Sequence, residues 1–124
     1  MLKIVKHFFP KRKSPHPSAI IIGIDYLQHQ IGDWLQSQGW ELSCFIDDEP
    51  WNHKTKMLGA PLHYPSELVA LIKKHQVSLV IQIRNSGPEL VPHLLEELEQ
   101  TTTLITLDAS VTVNDALEQL KRAL

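Results

Sequence analysis

Apolar positions along this chain alternate between two periods. Residues 18–24, SAIIIGI, form a short run rich in β-branched side chains, bounded by Pro17 and by polar residues after Ile24. Such a run predicts a strand buried on both faces, as in a parallel sheet. From Tyr26 to Gln38 the period lengthens: Leu27, Ile31, Trp34 and Leu35 recur at helical spacing, and Gly39 offers a left-handed stop. That pattern predicts a helix lying on the sheet. WELSCFI (40–46) predicts a second strand ending at Asp47 and Asp48. The Pro, Gly and Asn content of EPWNHKTKMLGAPLHYPSE marks a long connection with a short strand near Leu62 to Tyr64.

Further along, SELVALIKKH (66–75) places Leu68, Leu71 and Ile72 on one helix face, and VSLVIQI (77–83) predicts another buried strand. SGPELVPHLLEELEQ (86–100) opens with a capping-box pattern, Ser86 with Glu89, while Pro92 shortens or bends the helix that follows. TLITL (103–107) predicts a strand, and NDALEQLKRAL (114–124) a closing helix with Asn114 as its cap. No internal repeat or low-complexity tract interrupts this order.

Strand and helix in alternation imply an α/β fold, a parallel sheet of about five strands with helices on both faces and right-handed crossovers. The expected strand order is 3-2-1-4-5, half of a dinucleotide-binding fold. In such sheets ligands bind beyond the carboxyl ends of the strands where the order reverses, here between the strands ending at Ile24 and Ile83. The candidate residues are therefore Gly23, Ile24, Asp25, Asp47, Asp48, Arg84, Asn85 and Ser86, with Asp108 nearby.

Composition narrows the class without naming an activity. The chain has 124 residues, 43% hydrophobic and 21% charged, which suits one globular domain. The net charge of −2 conceals an asymmetry: residues 1–17 carry Lys3, Lys6, Lys11, Arg12 and Lys13 and no acid. We expect a basic arm over residues 1–17 and a single domain over 18–124. Five charges on a proline-containing terminus more often form a solvated tail than a nucleic-acid contact, so nucleic acid is not an expected partner. The single cysteine, Cys44, lies in an apolar stretch and reads as a buried, inert thiol in a reducing compartment. MLKIVKHFFPKRK lacks the apolar core of a signal peptide, and no stretch approaches the about 20 apolar residues of a membrane span. Cytoplasm is the expected location.

One stretch carries a family resemblance. FIDDEPWNHKTKMLGAPLHYPSEL resembles the strand-two region of the CoA-binding-like Rossmann domains of bacterial polysaccharide-biosynthesis proteins, the nucleotide-sugar dehydratases/epimerases and sugar acetyltransferases. The matching positions are Phe45, Ile46, Asp47, Asp48, Pro50, Gly59 and Pro61, and the similarity runs from about Ser18 to Leu107. It implies a Rossmann-like domain that binds a nucleotide-containing ligand, with NAD, CoA or a nucleotide-sugar as the cofactor classes. In the dehydratases such a domain commonly stands between membrane helices and a short-chain-dehydrogenase domain, and in the acetyltransferases a left-handed β-helix follows it. Neither neighbour is encoded in these residues, so the expected role is a stand-alone binding or interaction module without catalysis, acting as a homodimer or with a partner enzyme. The alternative is a nucleotide-sugar-modifying enzyme or its accessory subunit.

The first turn departs from the family at the phosphate. Of the Gly-Ala-Gly-x-x-Gly pattern only Gly23 remains, with Ile24, Asp25 and Gln28 where small residues would fall. Glycines there let the backbone approach a pyrophosphate at the helix N-terminus. Asp25 with Gln28 instead has the form of a helix capping pair, and a carboxylate about 4 Å from a phosphate charge would cost about 1–4 kcal/mol. Asp47, about 24 positions after Gly23, stands where a dinucleotide fold places its ribose-binding acid; an Asp-Asp turn closing the strand reads equally well. Arg84, Asn85 and Ser86 form a polar cluster, either an anion fork or an ion pair of Arg84 with Asp25, Asp47 or Asp48. None of the seven histidines forms a His-x-x-x-His pair with a nearby Cys, Glu or Asp at ligand spacing, so no metal is expected; His53, His63 and Tyr64 lie in the long loop, where they could line a ligand mouth, although surface histidines are the commoner case. Trp51 in that polar loop reads as a contact with the domain's own loop, or with a ligand or second copy.

Overall fold

The computed structural model describes residues 17–108 and 112–124. The expected basic arm lies outside them except for Pro17. Strand β1 (Ser18–Ile22) leads into helix α1 (Tyr26–Ser37), then β2 (Glu41–Ile46), a 3-10 turn (Pro50–Asn52), β3 (Lys56–Met57) and β4 (Ala60–His63). A second 3-10 turn (Pro65–Glu67) opens α2 (Leu68–His75), followed by β5 (Leu79–Arg84), α3 (Pro92–Thr101), β6 (Thr103–Asp108) and α4 (Val113–Ala123).

The sheet runs β3-β4-β2-β1-β5-β6. All pairings except β3 with β4 are parallel. Counting β4 as the third strand reproduces the expected 3-2-1-4-5 order; the addition is β3, an antiparallel flap on the β4 edge. Leu58 and Gly59 join β3 to β4 with φ of 54 and 81, the two left-handed corners of a tight hairpin. Leu58 tolerates this because the Gln36 side chain donates to its carbonyl at 2.9 Å and its own side chain packs beside Gly32 of α1.

The continuous apolar run of β1 is explained by two cores. Ala19 and Ile21 face a cluster with Ile31, Leu35, Phe45, Ile81, Leu107, Ala116 and Leu120, beneath α1 and α4. Ile20 and Ile22 face the opposite cluster with Cys44, Ile46, Leu68, Ile72, Val80 and Leu98, beneath α2 and α3. Full burial of each such side chain is worth about 1.5–3 kcal/mol. Both faces of β1 are therefore anchored, which holds the carboxyl ends of β2, β1 and β5 in one row.

Two helix starts differ from expectation. Ser86 and Glu89 do not cap α3; it begins at Pro92, with Val91 extended at φ −68 and ψ 152 as its cap residue. Proline fits the first helical position and forces the residue before it out of the helical region, so the helix waits for Pro92. For α4 the cap is Thr112, whose Oγ1 accepts from the Asp115 amide at 3.1 Å, and Asn114 sits inside the first turn. No described helix is long and apolar enough to cross a membrane.

Candidate functional site

The order of the sheet reverses between β1 and β5, and their carboxyl ends meet there in direct contact. The amide of Gly23 donates to the Ile46 carbonyl at 2.7 Å, continuing the ladder one residue past β1. The chain then turns with Gly23 at φ 96. From the other side β5 closes a tight turn, with the Ser86 amide donating to the Ile83 carbonyl at 3.1 Å and Asn85 at φ 63. Asparagine tolerates this left-handed corner better than most side chains. Gly87 follows at φ 81, so close to the first turn that a Cβ on it would stand 2.8 Å from the Gly23 Cα.

Side chains complete this closure. Gln28, fully buried, sits at the third glycine position of the dinucleotide pattern and folds back over the turn. Its Nε2 donates to the Ile22 carbonyl at 3.3 Å and to Ser86 Oγ at 3.0 Å, while its Oε1 is buried without a hydrogen-bond partner. A Cβ on Gly23 would lie 2.5 Å from that Nε2. Ser86 Oγ in turn donates to Asp25 Oδ2 at 3.1 Å. The predicted Asp25–Gln28 capping pair is thus not formed: Asp25 has the extended backbone of a cap residue, φ −74 and ψ −179, but its carboxylate makes no bond to the helix. Ser86, carried in by the neighbouring strand, supplies both side chains with a nearer partner.

The other expected residues line the same edge of the sheet. Ile24 is half-buried against the α1 and α4 core. Asp47, 9% exposed, accepts at Oδ2 from the Glu49 amide at 3.3 Å and from Asn52 Nδ2 at 3.0 Å, the geometry of a turn closing the strand. Asp48 is exposed beside it. Arg84 and Asn85 are exposed, and none of the ion pairs among the described residues joins Arg84 to Asp25, Asp47 or Asp48. Instead Arg84, Asn85 and Ser86 border a cleft of about 560 Å³ with Gln82, Glu89 and Thr106. The start of α3 at Pro92 leaves Ser86 outside any helix N-terminus, so no helix dipole adds to this cleft at Ser86.

A second cluster, along the same edge, was not legible as a unit. The 3-10 turn after β2 brings His53, the end of β4 brings His63, and the turn before α2 brings Glu67. His53 Nε2 lies 2.8 Å and His63 Nδ1 3.3 Å from Glu67 Oε1, which also accepts from the Tyr64 amide at 2.8 Å. The His53 ring stacks on Tyr64 at 4.0 Å and 2°. Partial burial pushes the Glu67 carboxyl up, but the Tyr64 N–H, the His53 bond and the His63 charge and bond outweigh it, leaving the group below its usual 4.5. The i,i+4 spacing of His63 and Glu67 is visible in the sequence; His53 is delivered only by the fold. Nearby Cys44 is inert, its thiol pushed up to about 12 by burial and by the Glu67 charge.

Trp51 is 75% and Tyr26 71% exposed. The expected packing of Trp51 on its own loop is therefore not present; the 3-10 turn at Pro50 directs the indole outward.

No protein-family model matches this chain, and no curated protein matches it. Among solved structures it is similar to UDP-D-quinovosamine 4-dehydrogenase from Vibrio fischeri, at 27% identity over 86% of both chains with a TM-score of 0.62. It is also similar to RSP, a Rex-family repressor, at 14% identity over 98% of this chain and 64% of that one with a TM-score of 0.61. RSP in complex with β-NAD+ and operator DNA matches at 14% identity and a TM-score of 0.59. This chain spans 56% of that one and 87% of its own length is covered. Order of strands, helices on both faces and these likenesses together make the fold Rossmann-type.

Proposed function

We propose that this chain is a nucleotide-sugar-recognition module without catalysis of its own, in which the anion contact has moved from the first turn to the end of β5. The observation that carries this reading is the pairing of a filled cradle with an open cleft. Gln28 and Gly87 pack against Gly23 at the first turn, the turn that in a dinucleotide fold stays open to its pyrophosphate. One step away, Arg84, Asn85 and Ser86 border a cleft of about 560 Å³, within the about 300–1,000 Å³ of usual ligand sites. Arg84 supplies a forked cation for a diphosphate. Asp47 and Asp48 after β2 and Gly23, Ile24 and Asp25 after β1 follow neighbouring strands at the same edge of the sheet, outside the lining of that cleft, and are the residues proposed for the ribose end. The likeness to a UDP-sugar enzyme at 27% identity favours a nucleotide-sugar over NAD or CoA. Ser86 Oγ is held between the Asp25 carboxylate and the Gln28 amide, with no histidine hydrogen-bonded to it among the described residues, which supports binding over turnover.

Calorimetric titration with UDP, a UDP-N-acetylhexosamine, NAD+ and CoA tests the reading. The UDP compounds bind, and Arg84→Ala weakens them at least tenfold, the about 1.5–3 kcal/mol of a charge-assisted bond, at unchanged stability. Turnover of any nucleotide-sugar by the isolated chain overturns it. A second reading, a module that has lost the ligand and serves protein contacts, is favoured by Trp51 and Tyr26, both exposed at the carboxyl edge, Trp51 in its 3-10 turn and Tyr26 at the first residue of α1. Silence across the whole ligand panel together with a stable homodimer selects it.

A further inference from the structure

We infer that His53, His63 and Glu67 form a binding site for a single zinc-class divalent cation. Their ligand atoms lie within 4.8 Å of one another, with His53 Nε2 at 2.8 Å and His63 Nδ1 at 3.3 Å from Glu67 Oε1. Zinc bonds of about 2.0–2.2 Å to imidazole nitrogen and carboxylate oxygen, set at tetrahedral angles, place neighbouring ligand atoms about 3.3 Å apart. The cluster is already near that spacing, so a cation enters with small side-chain adjustments. Two imidazoles and one carboxylate are also the donor set that selects zinc over magnesium or calcium, which take oxygen ligands.

The fold holds the three residues in place in addition to their bonds to one another. The His63 carbonyl accepts from the Asp47 amide at 3.0 Å, tying it to β2. The segment after His53 is stitched to β4, Lys54 to the Leu62 carbonyl at 2.7 Å and the Leu62 amide to Thr55 at 2.8 Å. Tyr64 fixes the His53 ring by stacking, and its amide orients the Glu67 carboxylate. The two imidazole nitrogens that now bond Oε1 are the atoms that turn to the cation, each without a proton there, while the Tyr64 amide goes on holding Oε1 in place. His53 and His63 are 23% and 17% exposed, so the site is shielded yet reachable, and three protein ligands leave the fourth position for water or an anionic ligand. This site is independent of the nucleotide reading.

The test titrates the full chain, stripped by chelator, with zinc chloride against a chromophoric competitor. One site per chain is expected, weakened at least tenfold in His53→Gln, in His63→Gln and in Glu67→Gln, the last keeping an oxygen for the Tyr64 amide. A His29→Gln/His75→Gln/His93→Gln variant retains it. Absorption spectroscopy at the zinc edge is expected to find two imidazoles and one carboxylate oxygen. Circular dichroism and urea midpoints without metal confirm that each variant folds; if one does not, the zinc-edge spectrum of the unaltered chain decides. No saturable binding at micromolar zinc, a spectrum with one imidazole or none, or full affinity in a folded His53→Gln/His63→Gln variant overturns the inference.

Discussion

Replacing Gly87 with alanine tests whether the crevice between β1 and β5 is closed as described. Two penalties combine there. At φ 81 a Cβ-bearing residue pays for the left-handed conformation, about 1–2 kcal/mol. The new methyl also meets backbone, 2.8 Å from Gly23 Cα, 3.3 Å from Gly23 N and 3.4 Å from the Ile22 carbonyl, none of which is a flexible side-chain end. Overpacking of this kind costs about 1–3 kcal/mol. The expected loss is therefore about 2–5 kcal/mol. Gly59 separates the two contributions, because it has the same φ of 81 and a methyl added to it would meet nothing within 4 Å. Urea unfolding of Gly87→Ala and Gly59→Ala, compared at equal slope, should give a difference of about 1–3 kcal/mol, the steric part alone. Equal losses would refute the closure and reopen the first turn to a pyrophosphate.

Two further outcomes follow from the caps and charges. Thr112→Ala should destabilise by about 0.5–2 kcal/mol in urea unfolding, whereas Asn114→Ala should be close to neutral, because Thr112 and not Asn114 holds the Asp115 amide. Glu67 sits below its usual 4.5 in the fold, so its contribution is present above that value and is lost as pH falls through the lower folded pKa. Urea midpoints followed from about pH 6 to about pH 3 should show a shallower acid loss in Glu67→Gln; an unchanged acid limb would contradict the bonding described around it.

Strands and helices were legible because their signals are local. The run at Ser18–Ile22 and the period of α1 need no distant partner to be read. The hydrogen-bond choices at the site do need one. Asp25 and Gln28 form a capping pattern on paper, yet each finds Ser86, 61 and 58 positions away, and a linear reading weighs only the near partner. The start of α3 is a different case: Pro92 carried the signal, and the Ser86–Glu89 pattern competed with it. The hairpin corner at Leu58 was hidden because a leucine rarely adopts φ 54, and only Gln36 and the gap at Gly32 make it acceptable here. His53 and Glu67 meet through the return of β4, so the cluster exists only once β4 lies beside β2.

The β3–β4 hairpin also decides where this sheet can grow. β3 is two residues long and lies antiparallel on β4, with Lys56 exposed at its start, so it blocks that margin against added strands. β6 is the other margin, paired among the described residues only with β5. In the described sheet the margin left for strand addition is the β6 side, and a partner joining there would run alongside Thr106, on the rim of the cleft bordered by Arg84. Self-association by that route and occupancy of the cleft would act on each other.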